Sequence, residues 1–146
     1  MTGVQTCALP IWLRNGPAAG QIALFYLQKN SFSDLDMLVR FSKDDGQTFG
    51  PPTTVTNEPG YHVVNNDRVV ELSTGRLLAP AASTADVRKV NHFVSHCFIS
   101  DDGGRTWRKG KRSFVTHLRA STRSVIVSLK HARGTNSSPH QTPTPH

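Results

Sequence analysis

Residues 42–49 and 100–107 carry one octapeptide, S-x-D-x-G-x-T-[F/W], and the two copies begin 58 positions apart. No other feature of the chain limits its fold so sharply. Each copy follows an apolar run, residues 37–41 in the first case and 94–99 in the second. The order is that of a strand, a tight polar turn and a returning strand. Asp44 and Asp102 have side chains short enough to hydrogen-bond the backbone a residue or two on, which closes a ring that copies a turn. Ser42 and Ser100 do the same at the strand exit. Gly46 and Gly104 can take the positive φ that such a corner requires and that most residues resist. Phe49 and Trp107 then re-enter as the first large apolar side chain of the next strand.

The repetition extends beyond the turns. Residues 69–76 align with residues 126–133 at an offset of 57, with Leu72 on Leu129 and Arg76 on Arg133. Between these marks the chain reads as short strands. Residues 21–27 and 37–42 form two of them, and 53–56 a short outer one. Residues 68–72 and 76–79 flank a corner at Ser73, Thr74 and Gly75, residues 81–89 form a polar connection, and residues 91–99 form a further strand. No capped stretch of about a dozen residues carries helical apolar spacing, so no helix is expected. A period of 57–58 residues holding about four short strands is the pattern of a β-propeller blade, in which neighbouring units bury each other's faces.

The octapeptide resembles the Asp-box, or bacterial neuraminidase repeat, of sialidases and their relatives. Residues 61–80 are similar to a segment of bacterial exo-sialidase-like proteins reading roughly Y-x-V-x-N-x-R, then L-x-x-G-R-L-x-x-P. Tyr61, Val63, Asn65, Asn66, Asp67, Arg68, Leu72, Gly75, Arg76, Leu77 and Pro80 carry that match, and the resemblance spans residues 18–112. It implies an all-β chain, a fragment of about two blades of a six-bladed sialidase-type propeller, over residues 12–116. In such a fold the boxes are structural devices on the outer rim, away from the active site. Here they would be Ser42, Asp44, Gly46, Thr48 and Phe49, and Ser100, Asp102, Gly104, Thr106 and Trp107. The function implied is that of a fragment of an exo-sialidase-like glycoside hydrolase, which cleaves terminal sialic acid from glycoconjugates. The alternative is a non-catalytic Asp-box propeller that binds a glycan or a protein.

Sialidase chemistry needs a cluster of Arg side chains on the sugar carboxylate, whose planar geometry the guanidinium fork matches. It also needs a Tyr nucleophile with a Glu base, and an Asp acid/base; these enzymes depart from the two-carboxylate scheme of most glycosidases. The resemblance puts the first Arg and the Asp before Trp12, and the nucleophile beyond the last residue. The place of the Glu, a Q-E-P-like stretch in the family, reads Ser121, Thr122, Arg123, Ser124. No catalytic residue is therefore assigned, and the fragment by itself is expected to be inactive. Substrate contact is expected from Asn66, Asp67 and Arg68, at the start of an inner strand near the propeller mouth. The competing reading is an Asp67–Arg68 pair that fixes the strand end. Tyr61 either lines the same cleft or belongs to the core. His62, His92 and His96 lack the companions of a zinc site and read as buried or surface histidines. Arg40 and Arg76 read as ion pairs at the blade edges. No metal and no cofactor are expected.

Charge divides the chain unevenly. Residues 1–102 hold 8 Lys+Arg and all 10 Asp+Glu, whereas residues 103–146 hold 9 Lys+Arg and no acid. Charged residues of both signs make up about a quarter of ordinary sequence, so an acid-free run of that length is anomalous. A basic arm for nucleic acid would produce it. So would a frameshift, and residues 117–146 are read as a degenerate or frameshifted tail, with no nucleic-acid partner expected. Residues 134–146 are polar and Pro-rich and cannot pack a core. At the other end, residues 1–11 match the in-frame translation of a short-read sequencing adapter with a GTG start, and are set apart from the fold. Cys97, in an apolar strand, reads as a small buried hydrophobe. No apolar run approaches the roughly 18–20 residues that span a bilayer, and no membrane partner is expected. A sialylated or related glycan is the expected partner.

Overall fold

The computed structural model describes residues 8–64, 68–90, 92–112 and 114–117. Their ten strands form one mixed sheet with almost no helix. The first four strands, β1 (Leu9–Trp12), β2 (Ile22–Lys29), β3 (Leu35–Ser42) and β4 (Thr53–Thr54), make an antiparallel meander. A short 3₁₀ turn at Gly16–Ala18 joins β1 to β2. The second unit repeats this arrangement with β6 (Val70–Glu71), β7 (Leu77–Thr84), β8 (His92–Ser100) and β9 (Arg108–Lys109). These two four-stranded units are part of a β-propeller. Between them β5 (Tyr61–Val63) lies parallel to β3 through the pair Leu35–Tyr61 and antiparallel to β7, so the units share one continuous sheet. β10 (Phe114–His117) adds to the far side of β8.

The polar residues of the octapeptides are accounted for bond by bond. In the first turn the Gly46 amide donates to Ser42 Oγ at 2.8 Å, Ser42 Oγ donates to Asp44 Oδ1 at 2.7 Å, and the Thr48 amide donates to the same oxygen at 2.9 Å. Thr48 Oγ1 donates to Asp44 Oδ2. The second turn repeats all four bonds: Gly104 amide to Ser100 Oγ at 2.8 Å, Ser100 to Asp102 at 2.8 Å, and the Thr106 amide and hydroxyl to Asp102 at 3.0 and 2.6 Å. Both turns need two successive residues with positive φ, Asp45 (56°) and Gly46 (85°) in one, Gly103 (73°) and Gly104 (90°) in the other. Asp tolerates that region better than most side chains.

The difference at that position has a packing cause. A Cβ on Gly103 would lie 2.8 Å from the Ala18 Cβ, and one on Gly104 would lie 2.6 Å from Phe41 Cζ. The second turn is docked on the first unit, and there is no room for the Asp that the first turn carries. Trp107 completes the contact. It is 6% exposed, meets Phe25 edge-on with centroids 6.1 Å apart, and accepts at its carbonyl from Asn57 Nδ2 at 2.7 Å. Glu71 ties the same seam, accepting from the amides of Arg14 and Asn15 at 2.8–3.2 Å. The hydrophobic cluster runs through both units, from Leu13, Phe25, Met37 and Val39 to Leu77, Ala79, Phe98 and Trp107.

Several segments differ from the sequence expectation. β5 forms at 61–63, where the sequence assigns no strand, and β6 covers only Val70–Glu71 of the expected 68–72. β7 continues through Ser83 and Thr84, which the sequence assigns to a polar connection. β5 and β8 flank it on both sides, so their backbone groups are paired inside the sheet and β-compatible polar side chains suffice. At the start of the chain, residues 9–11 stand in β1, with Leu9 opposite Phe25 and Ile11 opposite Ala23, and Ile11 packs on the core. That is a place in the fold which the separation of residues 1–11 does not give them. Residues 1–7, and the tail beyond His117, lie outside the described residues.

Candidate functional site

The sheet has two unlike ends. The octapeptide turns close one end, where Ser42 pairs with Ile22 and Ser100 with Leu77. Eight-residue strands separate that end from the other, which at a rise of about 3.3 Å per residue is roughly 26 Å. The far end is built from the exit of β2, the entry of β3, the β7–β8 connection and β5. Here the loop 30–34 meets the connection 85–91: the Val87 amide donates to the Phe32 carbonyl at 3.0 Å. Phe32 is 44% exposed, with the Lys29 ammonium 4.5 Å from its ring centroid and the Arg88 guanidinium 4.4 Å from it. Lys29 also stands 5.7 Å from the ring of Tyr61. Two cations and two aromatic faces thus share one surface, an arrangement suited to a ligand that presents both anionic and apolar faces.

Arg68 lies two residues before β6. β5 pairs with β7 as far as Val63–Ala82, and β6 resumes at Val70–Leu78. Six residues of sequence separate these two pairs on one strand and three on the other. Arg68 is half-buried, and Tyr61 is half-buried at the start of β5. Asn66 and Asp67 lie outside the described residues, and with them the Asp67–Arg68 pair.

A cavity of about 420 Å³ opens at this end, walled by His62, Ser83, His92, His96 and the Lys109–Glu58 ion pair at 2.8 Å. Register brings three of these groups together on one face. Ser83 is the direct cross-strand partner of His62, and His96, paired with Ala81, is its diagonal neighbour on β8. His62 Nε2 lies 2.7 Å from the Glu58 carbonyl oxygen. That oxygen can only accept, so Nε2 carries the proton and Nδ1 is left as an acceptor. Ser83 Oγ, 2.6 Å away, donates to it. His96 Nε2, 3.2 Å from the same Oγ, then donates to Ser83. The buried Phe98 ring supports both imidazoles edge-on, at 5.8 Å from His62 and 5.1 Å from His96. Burial, followed by the nearby Lys109 charge and His62, pushes the His96 imidazole down to about 4, so it is neutral at pH 7.

Sequence reasoning treats His62 and His96 as isolated and does not single out Ser83. The signal available was the placement of His62, Ser83 and His96 in β-runs, but their meeting depends on register between strands 13 to 34 residues apart. The two histidines are buried, as one of the two readings has it. Arg76 pairs with Asp101, which also binds Arg108 at 3.0 Å. Arg40 differs: its Nε is buried without a hydrogen-bond partner among the described residues, because it sits mid-strand on β3 and not at an edge. Cys97 is buried and its thiol is pushed up to about 12 by desolvation, which makes it an inert packing group. Among the described residues no three His, Cys, Asp or Glu gather as a metal site, and no helix is long and apolar enough to cross a membrane. A second cleft of about 370 Å³, near the octapeptide turns, offers Lys43 and Arg105 at its rim but no carboxylate or nucleophile.

Comparison with known proteins agrees with the architecture. The BNR repeat-like domain matches residues 2–133, and the chain belongs to that family. No curated protein matches it.

Proposed function

We propose that this BNR repeat-like chain forms part of the substrate cleft of an exo-sialidase-type glycoside hydrolase, which removes terminal sialic acid from glycoconjugates. The observation that carries the reading is the far end of the sheet. Lys29 and Arg88 flank exposed Phe32 there, with Tyr61 alongside. A nonulosonic acid presents a carboxylate to cations and a carbon face to aromatic rings, so this surface fits its two chemistries. Asn66, Asp67 and Arg68 belong to the proposed contact set with Tyr61, and the two octapeptides hold the blades from the opposite end.

In this reading the chain supplies a binding wall for the sugar. General acid, nucleophile and carboxylate clamp must converge on one sugar, and two blades supply one wall of such a site. The purified 146-residue chain should leave a fluorogenic sialoside intact. Saturation-transfer NMR should detect weak binding of free N-acetylneuraminic acid, reduced several-fold by Arg68→Ala and by Arg88→Ala. Binding that neither substitution changes would refute the reading, and so would turnover by the isolated chain. The exposed Phe32 face also favours a second reading, a non-catalytic propeller that binds a protein or a larger glycan. That reading predicts no binding of the free sugar acid.

A further inference from the structure

We propose that Ser83 and His62 form a nucleophile–base dyad, and that the cavity they line hydrolyses short-chain carboxylate esters. This activity is separate from glycoside cleavage and does not depend on the sialidase reading. Three relations define a hydrolytic dyad: a hydroxyl bonded to an imidazole nitrogen, a second group that fixes the other nitrogen, and space for the acyl group beside the hydroxyl. All three are present. Ser83 Oγ stands 2.6 Å from His62 Nδ1, and the Glu58 carbonyl holds the Nε2 proton at 2.7 Å. Ser83 and His62 both face the 420 Å³ cavity. A backbone carbonyl takes the orienting part that a carboxylate plays in the Ser-His-Asp triad, which is the fixed tautomer. His62 is 2% exposed, and both its strand and the Phe98 ring lock its orientation, so the pair is preorganised.

The reaction is balanced within the cavity. Ser83 Oγ attacks the ester carbonyl carbon, and its proton passes to His62 Nδ1. The carbon–oxygen bond to the alcohol breaks, and the departing alkoxide takes the proton back from Nδ1. Water then attacks the acyl-Ser83 carbonyl and gives a proton to Nδ1. That proton returns to Oγ as the carboxylic acid leaves. His96 acts as donor: its Nε2–H stands 3.2 Å from Oγ and polarises the cavity beside the nucleophile. At about 420 Å³ the cavity lies at the small end of ligand sites, which restricts the acyl part to a short chain such as acetyl.

The test uses the whole chain, a fluorophosphonate probe and p-nitrophenyl acetate. Peptide mapping of the unaltered protein should place the phosphonyl group on Ser83, a result that needs no variant. Ser83→Ala should abolish labelling and lower kcat/KM for the acetate by at least about 100-fold, since the base His62 alone would contribute about that much and has no hydroxyl left to act on. His62→Gln should do the same, and His96→Gln should lower kcat with little change in KM. Circular dichroism and thermal melting establish that each variant folds. Labelling elsewhere, or acetate hydrolysis unchanged in a folded Ser83→Ala, would overturn the proposal whatever the sialoside assay shows. Absence of both labelling and hydrolysis in the unaltered chain would overturn it as well.

Discussion

Gly75 and Gly20 provide a controlled experiment on how the two units are joined. Both hold left-handed backbone, with φ of 80° and 81°. A Cβ at either position carries the same conformational cost, about 1–2 kcal/mol. Replacing glycine by alanine also narrows the unfolded ensemble equally in both cases, so that contribution cancels. The surroundings are opposite. A Cβ on Gly20 would meet nothing within 4 Å. One on Gly75 would lie 2.5 Å from Gly16 Cα, 2.8 Å from Gly16 N and 3.2 Å from the Asn15 carbonyl carbon. Those atoms are backbone and cannot swing aside. The β6–β7 corner and the β1–β2 connection would have to separate by about 1 Å, and the amide bonds from Arg14 and Asn15 to Glu71 cross that same seam. Overpacking of this kind costs typically about 1–3 kcal/mol beyond the backbone term. Gly75→Ala should therefore lower stability by about 1–3 kcal/mol more than Gly20→Ala does. Urea unfolding followed by far-ultraviolet circular dichroism reads the difference. Equal losses for the two variants would mean that the close approach of Gly16 and Gly75 does not hold the units together, and the account of the seam would fail.

Two further predictions follow from the core and the cavity. Trp107→Ala should cost about 3–5 kcal/mol, as removal of a buried large aromatic does, and a double-mutant cycle with Phe25→Ala should show coupling of about 0.5–1.5 kcal/mol; additive losses would deny the edge-on contact seen at 6.1 Å. His96 should make the protein acid-sensitive: its imidazole titrates at 6.5 when unfolded and at about 4 when folded, so between those values the unfolded state binds the extra proton and stability falls as pH drops. The full loss is on the order of 3 kcal/mol, and chemical denaturation at pH 7 and pH 4.5 should show a drop that His96→Gln reduces; an undiminished drop in the variant would assign it to other groups.

What the sequence discloses and what it hides follow from the range of the forces involved. The octapeptides are legible because every bond in them is local: Ser42 reaches Gly46, Asp44 reaches Thr48, and spacing alone states the geometry. The corner at Gly75 is legible for the same reason, although its contact with Gly16 is not. Strand existence is readable from apolar runs, but strand ends are not. β7 runs past Ala81 only because β5 and β8 lie on both sides of Ser83, and β1 is a strand because it pairs with β2 along four residues. The site depends on register in the same way. His62, Ser83 and His96 come from three strands, and a slip of one residue in either pairing would turn one of them to the opposite face of the sheet. The cluster of Lys29, Phe32, Tyr61 and Arg88 is likewise assembled by connections at one end of the sheet. The local code of this chain thus builds the rim, and the long-range pairing it permits builds the chemistry: His96 stands four residues along β8 from Ser100, about 13 Å at 3.3 Å per residue, yet no local spacing announces its partners.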